Sequence, residues 1–339
     1  MKKTSYLLFS LLVLGMLFNA CSTDVDLYAD YKDITVVYGL LDSNMDTNYV
    51  KINKAFLGPG NALVIAKNPD SCNYPVGRIK AKIIEYQGSA SGNNYTLNRT
   101  LNLNPIYIHD KDSGLFYAPE QLVYYTAEKI KTNTDQHTYR YELEIENGDS
   151  LLTSSTNMVG GEGFTITTAS MDFSGDLTKV KWRPCPNASV YEVTVKFRFI
   201  EVGPNNDSVV RIMTWPWGKP MPVSSLEMEN NQYIVNHSSS DFYVALATFL
   251  GNDTLKTDVD RLITTYPLCI SIAAGGEELY NFIAVNGPSS SIVQNLPEYT
   301  NIKGGYGVFS SRTGQEKWIR MGTSLLDLIA KENWRFRQG

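Results

Sequence analysis

Cysteine and histidine side chains are common metal ligands and nucleophiles of proteins, and this chain of 339 residues has four Cys and three His. Three of the cysteines, Cys72, Cys185 and Cys269, lie far apart, and the histidines stand at positions 109, 137 and 237. Neither set has the spacing of a zinc site. The favoured interpretation is buried apolar thiols, while one disulfide between two of the three cysteines, or a Cys–His pair assembled by the fold, stays open.

Other chemical motifs are also missing from the sequence. No nucleophile elbow, phosphate-binding loop or dinucleotide-binding fingerprint occurs. The segment Asp110–Gly114 has alternate carboxylates that could converge on calcium, but Gln121 stands where a calcium loop needs a bidentate Glu, so a turn is expected. The sequence therefore predicts no catalytic residue, no metal and no cofactor, and a function other than catalysis.

The first twenty residues have the pattern of a secretory signal peptide. Lys2 and Lys3 precede an apolar stretch from Tyr6 to Phe18, and Ala20 precedes Cys21. The junction resembles a bacterial lipobox, in which the cysteine becomes the acylated first residue of the mature protein. We therefore expect lipidation at Cys21, with palmitate among the acyl chains; an ordinary cleavage site is the alternative.

Two aromatic segments are candidates for ligand or partner contacts. Trp215 and Trp217 flank a proline, and exposed Trp offers a flat surface to a glycan or a protein. The alternative is that one Trp packs under the loop and the other caps the edge of a sheet. The basic, aromatic closing run Trp334-Arg335-Phe336-Arg337 is either a docking segment for a partner or a tail that packs on the fold.

Three turns repeat an Asp, a hydroxyl residue and an aliphatic residue. Their hydroxyl residues are Ser150, Ser208 and Thr254. Asn, Gly and Asp before them predict hairpin turns. The triplet also resembles the O-glycosylation site of exported Bacteroidota proteins, and a modified hydroxyl needs an exposed turn, so both interpretations can hold.

Alternation of apolar and polar residues dominates the rest of the chain and predicts strands with one wet face. The clearest case runs from Tyr191 to Phe199, after a short strand with Val180 and Trp182. This pair, joined by a Pro/Asn turn, is similar to part of a fibronectin type III or immunoglobulin-like sandwich. Strands are also expected at 35–41, 49–52, 79–84, 139–145 and 151–153, and helices at Glu277–Ile283 and Leu325–Asn333. Pro119–Tyr125 could form one turn of helix.

The predicted organisation is mainly β, with two immunoglobulin-like or fibronectin III-like β-sandwich domains and one or two short helices near the C-terminus. A signal peptide (1–20) and an acylated tether (21–32) precede the first sandwich (33–159). A glycine-rich linker (160–163) leads to the second sandwich (164–312), and a helix and tail (313–339) close the chain.

Several stretches together resemble an uncharacterised family of Bacteroidota outer-membrane lipoproteins that are encoded near TonB-dependent receptors. They are the Cys21 junction with its acidic residues, Ile34–Asp42, the strand Tyr141–Ile145, Ser155–Val159 and, most specific of all, Tyr299–Arg312. The resemblance implies attachment to the outer membrane, on the periplasmic or the surface-exposed face, and work beside a transporter or surface assembly. It implies no catalytic residue.

The expected function is thus that of an accessory or binding subunit of a TonB-dependent β-barrel transporter or another surface complex. A fimbrillin-like adhesin or pilin and a surface carbohydrate-binding module are the alternatives, and a glycan is the partner that the last of these implies. The formal net charge of −5 and the absence of a basic stripe argue against a nucleic-acid partner.

Overall fold

A computed structural model describes residues 33–55, 61–92, 94–114, 116–251, 258–287, 298–322 and 334–339. In these residues most of the regular structure is β, as the alternation predicts. The strands of the first half are β1 (Thr35–Asp42), β2 (Asn48–Lys54), β3 (Ile79–Ser89), β4 (Tyr95–Ile108), β5 (Gln121–Thr126), β6 (His137–Asn147) and β7 (Ser150–Asn157). Two short helices, α1 (Ala62–Ile65) and α2 (Pro69–Cys72), lie between β2 and β3.

The second half continues with strands β8 to β18 and two longer helices. The strands are β8 (Thr165–Ile166), β9 (Ser170–Met171), β10 (Leu177–Arg183), β11 (Val190–Val202), β12 (Ser208–Pro216), β13 (Met221–Pro222), β14 (Glu227–Glu229), β15 (Gln232–Ser238), β16 (Asp260–Gly275), β17 (Tyr306–Met321) and β18 (Phe336–Gln338). The helices are α3 (Ser239–Leu250) and α4 (Glu277–Asn286). Among the described residues no helix combines the length and the apolar character needed to cross a bilayer.

Two sheets hold these strands. The larger follows the order β12-β11-β16-β17-β1-β2-β5-β4-β3-β6-β7, and the smaller follows β14-β15-β10-β8. The expected mainly β, sandwich-like fold with short helices is confirmed. The helix predicted from Glu277 is present, whereas Pro119–Tyr125 is not helical, because Gln121–Thr126 forms strand β5.

Most of the buried apolar side chains of the described residues belong to two clusters. One takes residues from β1 to β7 and the start of β17, and its largest members include Tyr124, Tyr141 and Phe309. The other takes residues from β10, β11, β12, β15, β16, α3 and β18, and it is centred on aromatic side chains such as Trp182 and Phe197. In long strands such as β6 and β11, buried residues alternate with more solvent-exposed ones, which is the pattern that the sequence shows.

Strand β17 takes part in both halves. Its first residues pair in parallel with β1, from Val36 opposite Tyr306 to Asp42 opposite Arg312. Its later residues pair antiparallel with β16, from Gly275 opposite Arg312 to Leu268 opposite Ile319. The sixteen-residue strand therefore joins the first and second halves of the chain in one sheet.

Candidate functional site

A pocket of about 500 Å³ lies on the outer face of β1 and β2. Its floor is formed by outward residues of these strands, Tyr38, Lys51 and Asn53, and its walls by the segment around α2, by Lys111 and by residues 116–121. We call it the Lys51 pocket. Its volume is within the range of pockets that hold small organic molecules.

Hydrogen bonds fix the two segments that form the walls. Asn53 donates from Nδ2 to the carbonyl of Cys72 and to Oδ1 of Asn73, both at 3.0 Å, which holds the end of α2 against β2. The backbone N–H of Tyr117 donates to the carbonyl of Ala66 at 3.0 Å, which joins the two walls. These hydrogen bonds therefore hold the described wall segments beside β2.

Positive charge is concentrated in this pocket. Lys51 is partly buried and donates to Oε1 of Gln121 at 2.8 Å, and Lys111 donates to the carbonyl of Tyr117 at 2.6 Å. Within the described residues neither ammonium group has a carboxylate at salt-bridge distance. Burial lowers the pKa of Lys51, and the nearby charge of Lys111 lowers it further. The two lysines thus repel each other beside an open space.

Apolar and aromatic groups form most of the remaining wall. Tyr38 and Phe116 are about half exposed, at 47% and 52%. The rings of Tyr38 and Phe282 of α4 meet edge to face, with centroids 6.0 Å apart. The Cys72 thiol also lines the pocket, and burial raises its pKa against the opposing charge of Lys111 and Lys51.

A second, polar cleft of about 630 Å³ lies between β6, β7, α4 and residues 299–303. Carboxylates, hydroxyls and amides line it. Its Glu278 accepts hydrogen bonds from Thr156 Oγ1 and Ser310 Oγ, both at 2.9 Å, so this carboxylate ties α4 to the sheet. Nothing in the described part of the chain brings three metal-ligating side chains together, here or elsewhere.

An apolar row crosses the outer face of the larger sheet near its edge. Val210 on β12 lies opposite Ile200 on β11, and Ile200 lies opposite Leu262 on β16. Ile212 on β12 is the next residue on the same face, and Val210 and Ile212 are 58% and 47% exposed. We call these four residues the outer row. Among the described strands β12 pairs with β11 alone, so the row ends at a free sheet edge.

The prediction of an exposed Trp215–Trp217 surface is wrong. Both indoles are only 5% exposed and belong to the second cluster. Trp215 lies on the inward face of β12, and the backbone N–H of Trp217 continues the pairing by donating to the carbonyl of Val193. The rings meet at 64°, so they form no coplanar platform. Phe173, Phe242 and His237 cover them from inside.

The closing run packs on the fold instead of standing free. Phe336 is buried against Phe197 and Phe199, and Trp334 packs on the same cluster. The guanidinium groups of Arg335 and Arg337 pair with Asp260 at 2.7 Å. Of this run, Arg335 and Arg337 keep exposed side chains beside the outer row, where Arg337 is the neighbour of Leu262.

The structure describes some of the remaining predicted site residues, and others lie outside the described residues. Ser150 and Ser208 are exposed at the hairpins β6–β7 and β11–β12, which is compatible with modification. Cys21, Thr254 and the predicted helix Leu325–Asn333 lie outside the described residues. Cys72, Cys185 and Cys269 are free thiols, with the latter two buried, and burial raises the pKa of Cys185 to about 12.

Sequence reasoning missed the Lys51 pocket and the outer row. Lys51 lies on β2 and Lys111 lies between β4 and β5, so no local spacing indicates that they share a pocket. Val209-Val210 in the β12 segment was a signal for an apolar surface, but its exposure depends on β12 being an edge strand. No protein-family model matches the chain, and no curated protein matches it at a significant level.

Proposed function

We propose that this chain is a lipid-anchored, non-catalytic protein of the outer membrane that serves as an accessory or binding subunit of a TonB-dependent transporter or another surface complex. The observation that carries the binding role is the outer row, which exposes contiguous aliphatic side chains at a free sheet edge. The membrane address rests on the Lys2–Cys21 sequence pattern.

The outer row has the composition of a protein-binding surface. Its aliphatic centre is bordered by Arg198, whose guanidinium stacks on Trp318 with 4.1 Å to the ring centroid, and by Arg337. Apolar centres with Arg and Trp nearby are typical of residues that dominate binding energy at protein interfaces. A partner would present an apolar stripe with acidic groups at its border.

The first experiment isolates the full-length protein from its native membrane by gentle affinity capture, with co-purifying proteins identified by mass spectrometry. We expect a stoichiometric β-barrel partner. We expect Ile212→Asp to lower recovery of the partner at least about tenfold. Burying an unpaired charge in an apolar contact costs at least the binding free energy that corresponds to about a tenfold loss of affinity. The matched control is Leu97→Asp on β4, which alters an exposed aliphatic residue outside the row.

Recovery of the lipoprotein alone, under conditions that keep transporters intact, would contradict the accessory role and favour a free-standing adhesin. Equal loss of the partner in both variants would show that the outer row is not the surface that binds it.

The anchor is tested separately with Cys21→Ser. We expect this variant to lose incorporation of labelled palmitate and to wash from membranes, because an acyl chain contributes about 0.8 kcal/mol per buried CH₂. Cys72→Ser is the control and should keep the label. Retention of label by Cys21→Ser would contradict lipidation at this residue.

A further inference from the structure

The geometry points to a binding site for a small organic carboxylate with an apolar body in the Lys51 pocket, with the acid group held between Lys51 and Lys111. This inference does not depend on the membrane address or on the protein partner proposed above, because the pocket lies on β1 and β2, away from the outer row on β11, β12 and β16.

The charge of the pocket indicates an anion. Lys51, Lys54 and Lys111 line it, against Glu120 as the acidic residue among its lining groups. Glu120 is directed to His109, whose Nδ1 lies 3.7 Å from its carboxylate. The ammonium groups of Lys51 and Lys111 hydrogen-bond to an amide oxygen and a carbonyl, which are neutral acceptors. An anion between them would relieve their repulsion and gain charge-assisted hydrogen bonds.

The walls indicate the rest of the ligand. Tyr38, Val36, Phe116 and the Cys72 side chain give the pocket a largely apolar lining. Burying such surface favours an apolar body by about 25 cal/mol per Å². A fully hydrated ion such as free phosphate or acetate would leave this surface wet, so a carboxylate joined to an alkyl or aryl group fits both parts of the pocket.

Cys72 gives the experiment a direct reporter. It is partly exposed in the pocket, whereas Cys185 and Cys269 are buried. The full-length protein is alkylated with iodoacetamide, and peptide mass spectrometry reads the modification of Cys72 separately from the other thiols. Decanoate is the probe, and 1-decanol and acetate are its neutral and non-apolar counterparts.

We expect decanoate to slow alkylation of Cys72 in a saturable manner, decanol to need at least about tenfold higher concentration, and acetate to have no effect at matched ionic strength. Lys51→Met and Lys111→Met should each weaken protection by decanoate about tenfold, and Lys51→Arg should retain most of it. Lys80→Met, an exposed lysine on β3, should change nothing.

Three results would overturn the inference. They are the absence of protection by decanoate in the unmodified protein, equal protection by decanol and decanoate, and equal weakening by Lys80→Met and Lys51→Met. The comparison of the three probes uses the unmodified chain, so it decides the matter even if a lysine variant fails to fold.

Discussion

Glu85 is a fully buried carboxylate that is surrounded by donors. Arg99 contacts it at 2.8 Å, the Tyr141 hydroxyl donates to it at 2.9 Å, and Lys131 lies 3.7 Å away. Burial alone would raise the pKa of Glu85, but the hydrogen bonds from Arg99, Tyr141 and Asn98 outweigh it, and the pKa is lowered. The ionised group therefore stabilises the first half of the chain.

The lowered pKa of Glu85 fixes the pH dependence of this contribution. The stabilisation is complete above the unfolded pKa of about 4.3 and is lost as the pH falls through the lower folded pKa. We expect Glu85→Gln to lower the free energy of unfolding by about 2 kcal/mol at pH 7, and by less near pH 3. Urea denaturation at both pH values measures the difference.

Glu146→Gln is the control for this prediction, because Glu146 is exposed on β6. It should change stability by less than about 0.5 kcal/mol. A Glu85→Gln deficit of the same size at both pH values would show that the charge of Glu85 has no part in the effect.

At the scale of elements, strand β18 is held by one buried aromatic side chain. The Phe336 ring lies 5.0 Å from the ring of Phe199 and 5.8 Å from that of Phe197. Its neighbours on the strand point to solvent. The strand is thus attached by its parallel pairing with β16, by a ring that packs on β11, and by the arginine pairs with Asp260.

Phe336→Ala should release β18 from the sheet, because loss of a buried Phe side chain costs about 3 kcal/mol. We expect trypsin to cleave after Arg335 and Arg337 at least about tenfold faster than in the unmodified protein. Gln338→Ala, an exposed position on the same strand, should leave the rate unchanged. An unchanged rate in Phe336→Ala would mean that the pairing with β16 and the arginine pairs hold the strand without the ring.

Local patterns predicted many elements, and their failures have local causes. The alternation of β11 and the Asn-Gly turn before β7 led to the correct structure because both depend on neighbouring residues. Helix α3 was missed although its buried residues, Phe242, Leu246 and Leu250, recur at helical spacing. The Trp215–Trp217 error arose because a strand can place alternate residues inward across a proline at its end.

Pairing between strands that are distant in the sequence determines the features that local patterns could not predict. Lys51 and Lys111 meet in one pocket only because β1 and β2 carry two separate loop segments on one face. The exposure of Val210 depends on β12 lying at the end of the sheet order. Periodicity indicates which face of a strand is wet, but it does not indicate which strand is its neighbour.

At the scale of the molecule, Gly307 permits the junction between β17 and β1. Its φ is +111°, and a Cβ at this position would overlap the carbonyl oxygen of Val37, its partner on β1. Another residue would have to displace this backbone and adopt an unfavourable conformation. The parallel pairing that joins the two halves of the chain therefore depends on a glycine here.

We expect Gly307→Ala to lower the free energy of unfolding by about 2–4 kcal/mol and to increase amide hydrogen exchange in β1. Gly314→Ala on the same strand is the matched control, since its Cβ would make only ordinary contact, 3.6 Å from the carbonyl oxygen of Ile272. Equal effects of the two substitutions on β1 would contradict the importance of the close approach.

The pairing of β1 with β17 also sets an order of events during synthesis. Val37 is synthesised, and in an exported chain crosses the membrane, long before Gly307, yet these residues are neighbours in the finished sheet. Until the later strand emerges, β1 has one open edge, and the first cluster lacks Ile302 and Phe309. The first cluster is therefore complete only when almost the whole chain is present. Truncation of the chain before Tyr306 would remove the partner strand of β1 and leave a core that begins at residue 37 incomplete.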